Sequence, residues 1–557
     1  MTYTSKMANQ KEYRYKKILD LIKIERSEIS SVYFYAILNG IIQLSLPLGI
    51  QAILGFVLGA TMVTSVYLLI FIIIIAVLIV GYLQINQMKI IEKIQQKIFV
   101  RYAFSFAETI PKLDLKDIDH YYLPEKINRF FDVLNVQKGI SKLLLDIPSA
   151  TIQIIFGLLI LSFYHPYFIV FSSILLIVIF IIFKVTSKKG IETSIEESNF
   201  KYKVVSWLEE MGRVIKSFKY SQGTHLNLIK TDEKLLKYLN ARTAHFQILL
   251  LQFKSLVFFK VCVTALMLVL GSYLLFNQLI TIGQFVAAEI IILTTISSME
   301  KLISSLENVY DVITGLVKLD SVLNNPIEKE ESFKLESNEL VITLDKMSFS
   351  YDANQEIFNS ISATIPANAI TCISGKENSG KSTFLKLLTG SYMHFNGSIA
   401  FNAIPLQNYS LENLRTKMGI LLYEQDLFEG SLYENIVLGR TEIKIERIMD
   451  LSKKLGFEDF IKSFPNYFET QLDPLGQKLP SSLIRKILLL RALINTPQLL
   501  ILEEPWVGFE DSTITKIQNY IIDISKNSTV VISTNDKNFI EKSTVHFNIE
   551  NGTFTKA

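Results

Sequence analysis

Apolar positions gather in long unbroken runs before residue 300 and in short stretches after residue 340. A run of about 20 mainly apolar residues is enough for a helix to cross a bilayer. Six such runs lie at 32–58, 65–86, 147–164, 166–185, 246–276 and 279–299, the third and fourth parted only by a break at His165-Pro166, so that they read as a hairpin. The short connections, around Gly59-Ala60-Thr61, His165-Pro166 and Asn277-Gln278, carry no Lys or Arg. The two long ones hold Lys89, Lys93, Lys97, Arg101, Lys188, Lys189, Arg213 and Lys216. Positive charge stays on the cytoplasmic side, so the long connections and both termini are expected there. Stretches 90–106 and 194–215 keep a helical period with charged faces, which predicts that the spans continue into the cytosol. About twenty further residues at 1.5 Å each would carry a helix roughly 30 Å beyond the bilayer. The polar turns near 114–132 and 217–231 would then form the tips, placed to touch a cytoplasmic domain.

Ionisable groups inside a span are costly and functional by default. Glu289 lies near the middle of the last span, and Lys254 and Lys260 lie toward the cytoplasmic half of the fifth. Glu289 and Lys260 are expected to face a central cavity and to pair, and Lys254 to snorkel.

Residues 324–339 are polar and lack an apolar period, as a linker does. Beyond them, strand-like runs at 341–344, 369–373, 499–502 and 529–532 alternate with helical segments, which implies an α/β domain. The chain therefore divides into a cytoplasmic amphipathic segment (1–30), a six-helix membrane domain with two cytoplasmic excursions (31–323), a linker (324–339) and an α/β domain (340–557). Composition agrees: only 20% of the 557 residues are charged, and the mean hydropathy is +0.32. A net charge of +3 is too small to imply nucleic acid. Cys262 and Cys372 lack metal-ligand spacing and read as small buried hydrophobes. The first thirty residues have no signal-peptide core, so insertion is assigned to the first span, and they are too few for a further domain.

The sharpest chemical pattern is Gly375-Lys376-Glu377-Asn378-Ser379-Gly380-Lys381-Ser382-Thr383, between the strand-like run 369–373 and the helical run 384–388. Strand, glycine-rich loop and helix in this order make a phosphate-binding loop. Glycines let backbone N–H groups close around phosphates, and the helix N-terminus adds its dipole. Lys381 would neutralise phosphate charge and Ser382 would ligate Mg²⁺. Asn378 stands where a third glycine often sits, and Asn tolerates the left-handed region. The apolar run 499–502 ends in Glu503-Glu504. Acids at the carboxyl end of a strand beside such a loop suit one ligand of Mg²⁺ and one group that polarises water.

Six spans, two cytoplasmic excursions, a linker and a phosphate-loop domain in this order resemble an ATP-binding-cassette half-exporter. The membrane half, including stretch 279–288, is similar to those of bacterial type I secretion and bacteriocin export systems. The resemblance implies ATP and Mg²⁺ as ligands, Tyr351 as the aromatic against adenine, Glu503 in the Walker B aspartate's place and Glu504 as catalytic glutamate. The segment 427–436 fits the one that follows the family's glutamine loop, which puts the glutamine's own position at Tyr423, with Gln425 two residues too close. The family's Leu-Ser-Gly-Gly-Gln signature stands here as Leu479-Pro480-Ser481-Ser482-Leu483, in a register fixed by Gly476 and Arg491-Ala492-Leu493. Asn535 takes the switch histidine's place and cannot carry a proton at neutral pH. These departures imply ATP binding with slow or negligible hydrolysis by this chain alone. The implied setting is the inner membrane, with both termini and the cassette in the cytoplasm. Implied partners are a second half-transporter (a homodimer, or a heterodimer, which fits the erosion better), membrane lipid and, if secretion-like, a periplasmic adaptor; no nucleic acid is implied. Two alternatives stay open: a catalytically inactive ATP-binding regulatory or scaffolding membrane protein, and a P-loop kinase on an unrelated anchor, which leaves the excursions and 476–493 unexplained.

Overall fold

The computed structural model describes residues 25–59, 64–118, 123–221, 224–337, 339–351 and 356–556. Most of the amphipathic segment 1–30 and the turn at Ala60-Thr61 lie outside the described residues. Two compact units emerge, one comprising Met1–Pro111 with Tyr121–Asn325, the other Lys112–His120 with Pro326–Ala557.

Among the described residues the first unit holds seven long helices: α1 (Arg26–Gln43), α2 (Ser45–Leu58), α3 (Thr64–Thr109), α4 (Asp132–Tyr164), α5 (Pro166–Arg213), α6 (Leu226–Phe276) and α7 (Ile282–Leu323). Five stretches are long and apolar enough to span a membrane, with α1 and α2 together making the first, and α5 carries a shorter apolar run over Pro166–Ile181. The first span is thus broken where the sequence reads as continuous. Pro47 explains the break: its ring excludes the carbonyl four residues back, at Gln43, where α1 ends. At the hairpin, the His165 side chain accepts from Tyr167 N at 3.3 Å and Pro166 opens α5. A capping box of Thr281 and Gln284 starts α7.

Side chains such as Tyr67, Phe71, Leu78, Phe163 and Phe276 are exposed, the outward apolar surface expected of helices solvated by lipid. Between helices, small residues permit close approach. A Cβ on Gly139 would lie 2.4 Å from Val312, and one on Gly190 would lie 2.3 Å from the Tyr310 ring. Polar side chains bond across the helices: Gln153 donates to Gln43, Ser298 to Gln153 at 2.7 Å, and Tyr164 to Gln51 at 2.5 Å. Lys260 does not pair with Glu289. It meets Glu300 at 2.5 Å, while the buried Oε2 of Glu289 has no hydrogen-bond partner. The reason is register: Lys260 lies 16 residues before the end of α6 and Glu300 18 residues after the start of α7, nearly level across the 276–282 turn, whereas Glu289 lies only 7 after it. Lys254 is exposed.

The second unit holds a six-stranded sheet and a smaller antiparallel one. Strands β1 (Ile342–Ser350), β2 (Glu356–Ile365) and β4 (Asn396–Phe401) form the small sheet in the order β2-β1-β4, extended by the short strand Ile404–Pro405. Strands β3 (Ile370–Gly375), β5 (Met418–Leu421), β6 (Leu499–Glu503), β7 (Thr529–Ser533), β8 (Val545–Glu550) and β9 (Thr553–Lys556) form the large sheet in the order β9-β8-β3-β7-β6-β5. All its pairings are parallel except β8 with β9. Strands β6 and β7 are buried at every position, as a parallel sheet covered on both faces requires. Helices α8 (Lys381–Leu388), α9 (Leu411–Thr416), α10 (Ile445–Leu455), α11 (Ser481–Leu493) and α12 (Asp511–Ile524) pack around it.

The tip of the first excursion is part of this second unit. Leu113 pairs with Ile327, Asp114 N donates to Pro326 O at 3.0 Å, and Glu328 N donates to Lys112 O at 2.8 Å. Arg415 on α9 in turn grips Glu328 with two bonds of 2.6 and 2.7 Å and donates to the carbonyls of Thr389 and Gly390, just past the end of α8. A partly shielded bidentate pair of this kind contributes about 1.5–3 kcal/mol. Arg415→Ala is therefore expected to lower the melting temperature of this unit by several degrees, at roughly 2–4 °C per kcal/mol for a domain of this size. Arg415→Lys, which cannot fork, should recover little of the loss in the same calorimetric measurement.

Candidate active site

The large sheet sets the site's geometry. In the parallel register Ile373, Ser533 and Glu503 stand abreast on β3, β7 and β6, so the phosphate loop after β3 and the acids at the end of β6 emerge at one edge. The loop needs its glycines. Gly375 has φ +151°, where a Cβ would meet Ser379 Oγ at 2.6 Å and Ile549 O at 2.7 Å. Gly380 has φ +102°, against the Phe358 ring at 2.9 Å. Asn378 adopts φ +60°, the left-handed conformation Asn accepts more readily than most residues.

Within this loop Lys381 Nζ donates to the carbonyls of Gly375 and Lys376, both at 2.8 Å. Its ammonium thus sits over the loop's concavity, held only by neutral oxygens. The buried Oγ of Ser379 has no hydrogen-bond partner among the described residues. A cationic donor and an orphaned hydroxyl over a cradle that excludes Cβ atoms fit a polyphosphate. Tyr351 is half-buried, edge-on to Phe349 and Tyr392 at 5.0 and 5.3 Å, and its hydroxyl bonds Thr383 Oγ1 at 3.0 Å. Tyr351, the aromatic expected against adenine, is thereby anchored to the start of α8.

Ser382 Oγ donates to Glu503 Oε1, and the backbone N of Tyr423 donates to Glu503 Oε2 at 2.8 Å. Ser382 and Glu503, the two expected Mg²⁺ ligands, are therefore in direct contact, a donor set suited to a hard cation. The Tyr423 side chain is exposed, so this position offers Glu503 a backbone amide and no side-chain amide. Gln425 folds back and accepts from Leu422 N at 3.2 Å.

Glu504 occupies φ +44°, uncommon for a non-glycine residue. Its N–H donates to Ser533 O at 2.9 Å, and Arg485 Nη2 donates to the carbonyls of both Glu503 and Glu504. Arg485, on α11, escaped the sequence reading. It lies two residues beyond the signature segment, and only the fold shows that its guanidinium turns under the two acids. Burial raises the Glu504 carboxyl above its usual value, while Lys381, a Thr534 hydrogen bond and Arg485 pull it down. The sign follows: a carboxyl raised in the folded state is destabilising once ionised, so its penalty is absent below the unfolded pKa and complete above the folded one. Glu504→Gln should thus raise the melting temperature at pH 7–8, with the gain fading as pH falls toward the ordinary carboxyl range. A pH series of thermal scans checks this.

Asn535 Oδ1 accepts from Gly375 N at 3.2 Å, so it rests on the loop. A cleft of 780 Å³ opens on that flank, lined by Ser374, Lys376, Asn378, Ser379 and Asn535 among others, but by none of Lys381, Glu503 and Glu504. Pro480 caps α11, Leu483 N bonds Pro480 O at 2.9 Å, and Leu479 and Leu483 pack on the large apolar core rather than projecting glycine backbone. Cys372 is buried in β3, where burial pushes its thiol up to about 11.

Comparison with known proteins identifies the architecture. Residues 32–299 match the "ABC transporter transmembrane region" model and residues 358–507 the "ABC transporter" model. The chain belongs to the ABC transporter family. It joins a membrane region and an ATP-binding domain in one polypeptide, as an exporter half-transporter does. It is 28% identical over 276 residues to the uncharacterized ABC transporter ATP-binding protein YknV of Bacillus subtilis, covering 48% of this chain and 45% of that one. It is 28% identical over 265 residues to the alpha-hemolysin translocation ATP-binding protein HlyB of Escherichia coli O157:H7, covering 47% and 38%. With the lacticin-481/lactococcin-DR transport/processing protein lcnDR3 of Lactococcus lactis it shares 27% over 273 residues, covering 47% and 37%. The chain thus spans less than half the length of these curated relatives. A bacterial Atm1-family ABC exporter with ATP bound superposes with a TM-score of 0.85 over 96% of this chain and 95% of that one; at 16% identity this speaks for the fold.

Proposed function

We propose that this ABC half-transporter binds ATP at Tyr351, the loop 375–383 and Glu503, and that pairing with a second cassette drives alternating access of the membrane unit, while hydrolysis by this chain alone is slow. The observation that carries the reading is an asymmetry within one cassette. The phosphate loop and acids are assembled, with Lys381 making no carboxylate pair among the described residues and Ser382 on Glu503. The segment that would grip a partner's nucleotide is instead folded onto its own core through Leu479 and Leu483. Bound Mg²⁺ would supply Lewis-acid stabilisation of the phosphates, held by Ser382 and Glu503. This chain's residues do the rest: Lys381 and the loop amides bind phosphate, Glu504 orients water, and Asn535 can donate a hydrogen bond but cannot exchange a proton. Two ATP affinities for two states suffice to shift the membrane unit by binding alone. A heterodimer, whose partner supplies an intact signature, suits this asymmetry better than a homodimer. Export of a peptide or protein across the inner membrane is the substrate class suggested by the likeness to the hemolysin and lacticin transporters.

The Asn535 and 479–483 substitutions also favour a second reading, an ATP-binding regulatory membrane protein without turnover. Purified chain in lipid nanodiscs separates the possibilities when ATP binding and steady-state ATPase are measured side by side, with and without a candidate partner. Binding without turnover, converted to turnover by the partner, supports the subunit. Binding that no partner converts supports the regulator. Fast turnover by the chain alone refutes both.

A further inference from the structure

Two cations in the membrane unit, buried Lys318 and half-buried Arg129, lie far in sequence from the phosphate loop and make no direct ion pair among the described residues. Lys318 on α7 is only 4% exposed, and its ammonium donates to the neutral Asn199 Oδ1 and lies 5.5 Å from the centre of the Tyr202 ring. Arg129, in the 3₁₀ turn Asn128–Phe131, donates through Nη1 to the Ser321 hydroxyl, and its buried Nε has no hydrogen-bond partner. Among the described residues neither joins an ion pair. Asp132, the buried acid beside them, is already engaged by the Tyr202 hydroxyl at 2.7 Å, by Asn135 at 3.1 Å and by Lys201 at 3.7 Å. A buried charge without a partner is costly, and proteins keep one where something completes it.

Both cations line one cavity of 390 Å³, with Lys203 and Asn199 on α5 and the acids Glu125 and Glu196. Glu125 accepts from Ser206 at 2.8 Å, and Glu196 is exposed at the rim. The cavity therefore offers three cations, of which the two deepest have unused donors. Its acids leave a small net positive charge, which suits a compact anion better than a polyphosphate. We propose that this cavity is a binding site for a small oxyanion, a phosphate or carboxylate group held between Lys318 and Arg129 and met at the rim by Lys203. Lys318 lies 19 residues beyond the end of the last apolar run, about 28 Å along the helix at 1.5 Å per residue. That distance points to a soluble ligand rather than a lipid headgroup.

The test uses the full chain carrying Lys381→Ala in nanodiscs, so that the phosphate loop is silenced. Thermal unfolding is followed against inorganic phosphate and, separately, malonate, with ionic strength held by sodium chloride. A saturable rise in melting temperature is expected, weakened at least tenfold in apparent affinity by Lys318→Met and largely retained by Lys318→Arg. Glu196→Gln should tighten binding a few-fold. A response to phosphate alone identifies a phosphate-bearing ligand, a response to malonate alone a carboxylate, and a response to both a general oxyanion site. No saturable response to either anion, or a response that survives Lys318→Met, overturns the proposal. Should Lys318→Met not fold, Lys203→Met with ³¹P saturation transfer replaces it, and an unchanged signal overturns the proposal equally.

Discussion

Converting Pro480→Ser, Ser481→Gly, Ser482→Gly and Leu483→Gln together with Asn535→His should raise the ATP turnover of this chain by at least roughly 100-fold. A single preorganised donor to a developing charge is worth about 2.7–4 kcal/mol of barrier, or about 10²–10³-fold in rate. The change returns several such donors. Pro480 has no backbone N–H, so serine there restores a donor as well as a hydroxyl, and serine is a preferred N-cap for α11. Glycine at 481 and 482 lets backbone approach a phosphate that side chains now keep away. Histidine at 535 supplies a group that can donate and take up a proton near pH 7. The gains will not multiply, because groups that act as a unit are strongly non-additive. Leu483→Gln gives up partly buried apolar surface, at a cost of about 1 kcal/mol in stability. Steady-state ATPase of the quintuple variant in nanodiscs is the measurement. An unchanged rate with ATP binding intact would place the block elsewhere, at Tyr423 or in the methylene that makes residue 503 a glutamate.

What the sequence shows and hides follows from how local each cause is. The spans, the His165-Pro166 hairpin and the phosphate loop are written in contiguous residues: apolar runs, proline positions, and glycines placed where φ is positive. They are legible. The break at Leu44 was legible too, in Pro47, but a hydropathy run reads straight through it. Lys260 shows the next level. Its partner is set by distance from the 276–282 turn, which brings it nearly level with Glu300 and well away from Glu289, whereas the rule that membrane acids and bases seek each other pointed to Glu289. Arg485 and the Arg415–Glu328 pair lie beyond reach of either argument. Each joins elements that are distant in the chain, and the bonded partners are backbone carbonyls or a linker acid with no motif of their own. The assignment of 112–120 to the second unit has the same origin: a polar tip reads only as a turn until the linker residues 326–328 that pair with it are in place.

Lys381→Ala should weaken ATP binding by roughly 10–100-fold while leaving the fold intact. The ammonium bonds two carbonyls of the loop, Gly375 O and Lys376 O, and Lys376 is exposed. Water can replace the lysine on those oxygens, so little folding energy is lost. With a polyphosphate in the loop, the same ammonium makes charge-assisted bonds worth about 1.5–3 kcal/mol, which no water can match. That difference appears in the dissociation constant at tenfold per 1.4 kcal/mol. Lys381→Arg should not rescue it, since a planar fork is longer and cannot turn three donors into a cavity shaped for a point charge. Asn378→Gly, by contrast, should be nearly silent, because φ +60° suits glycine at least as well. Titration of each variant with a fluorescent ATP analogue reads all three. If Lys381→Ala binds as tightly as the parent chain, nucleotide does not sit in the 375–383 loop, and the reading of Ser382, Glu503 and Glu504 as its ligands falls with it, although the fold and the family membership stand.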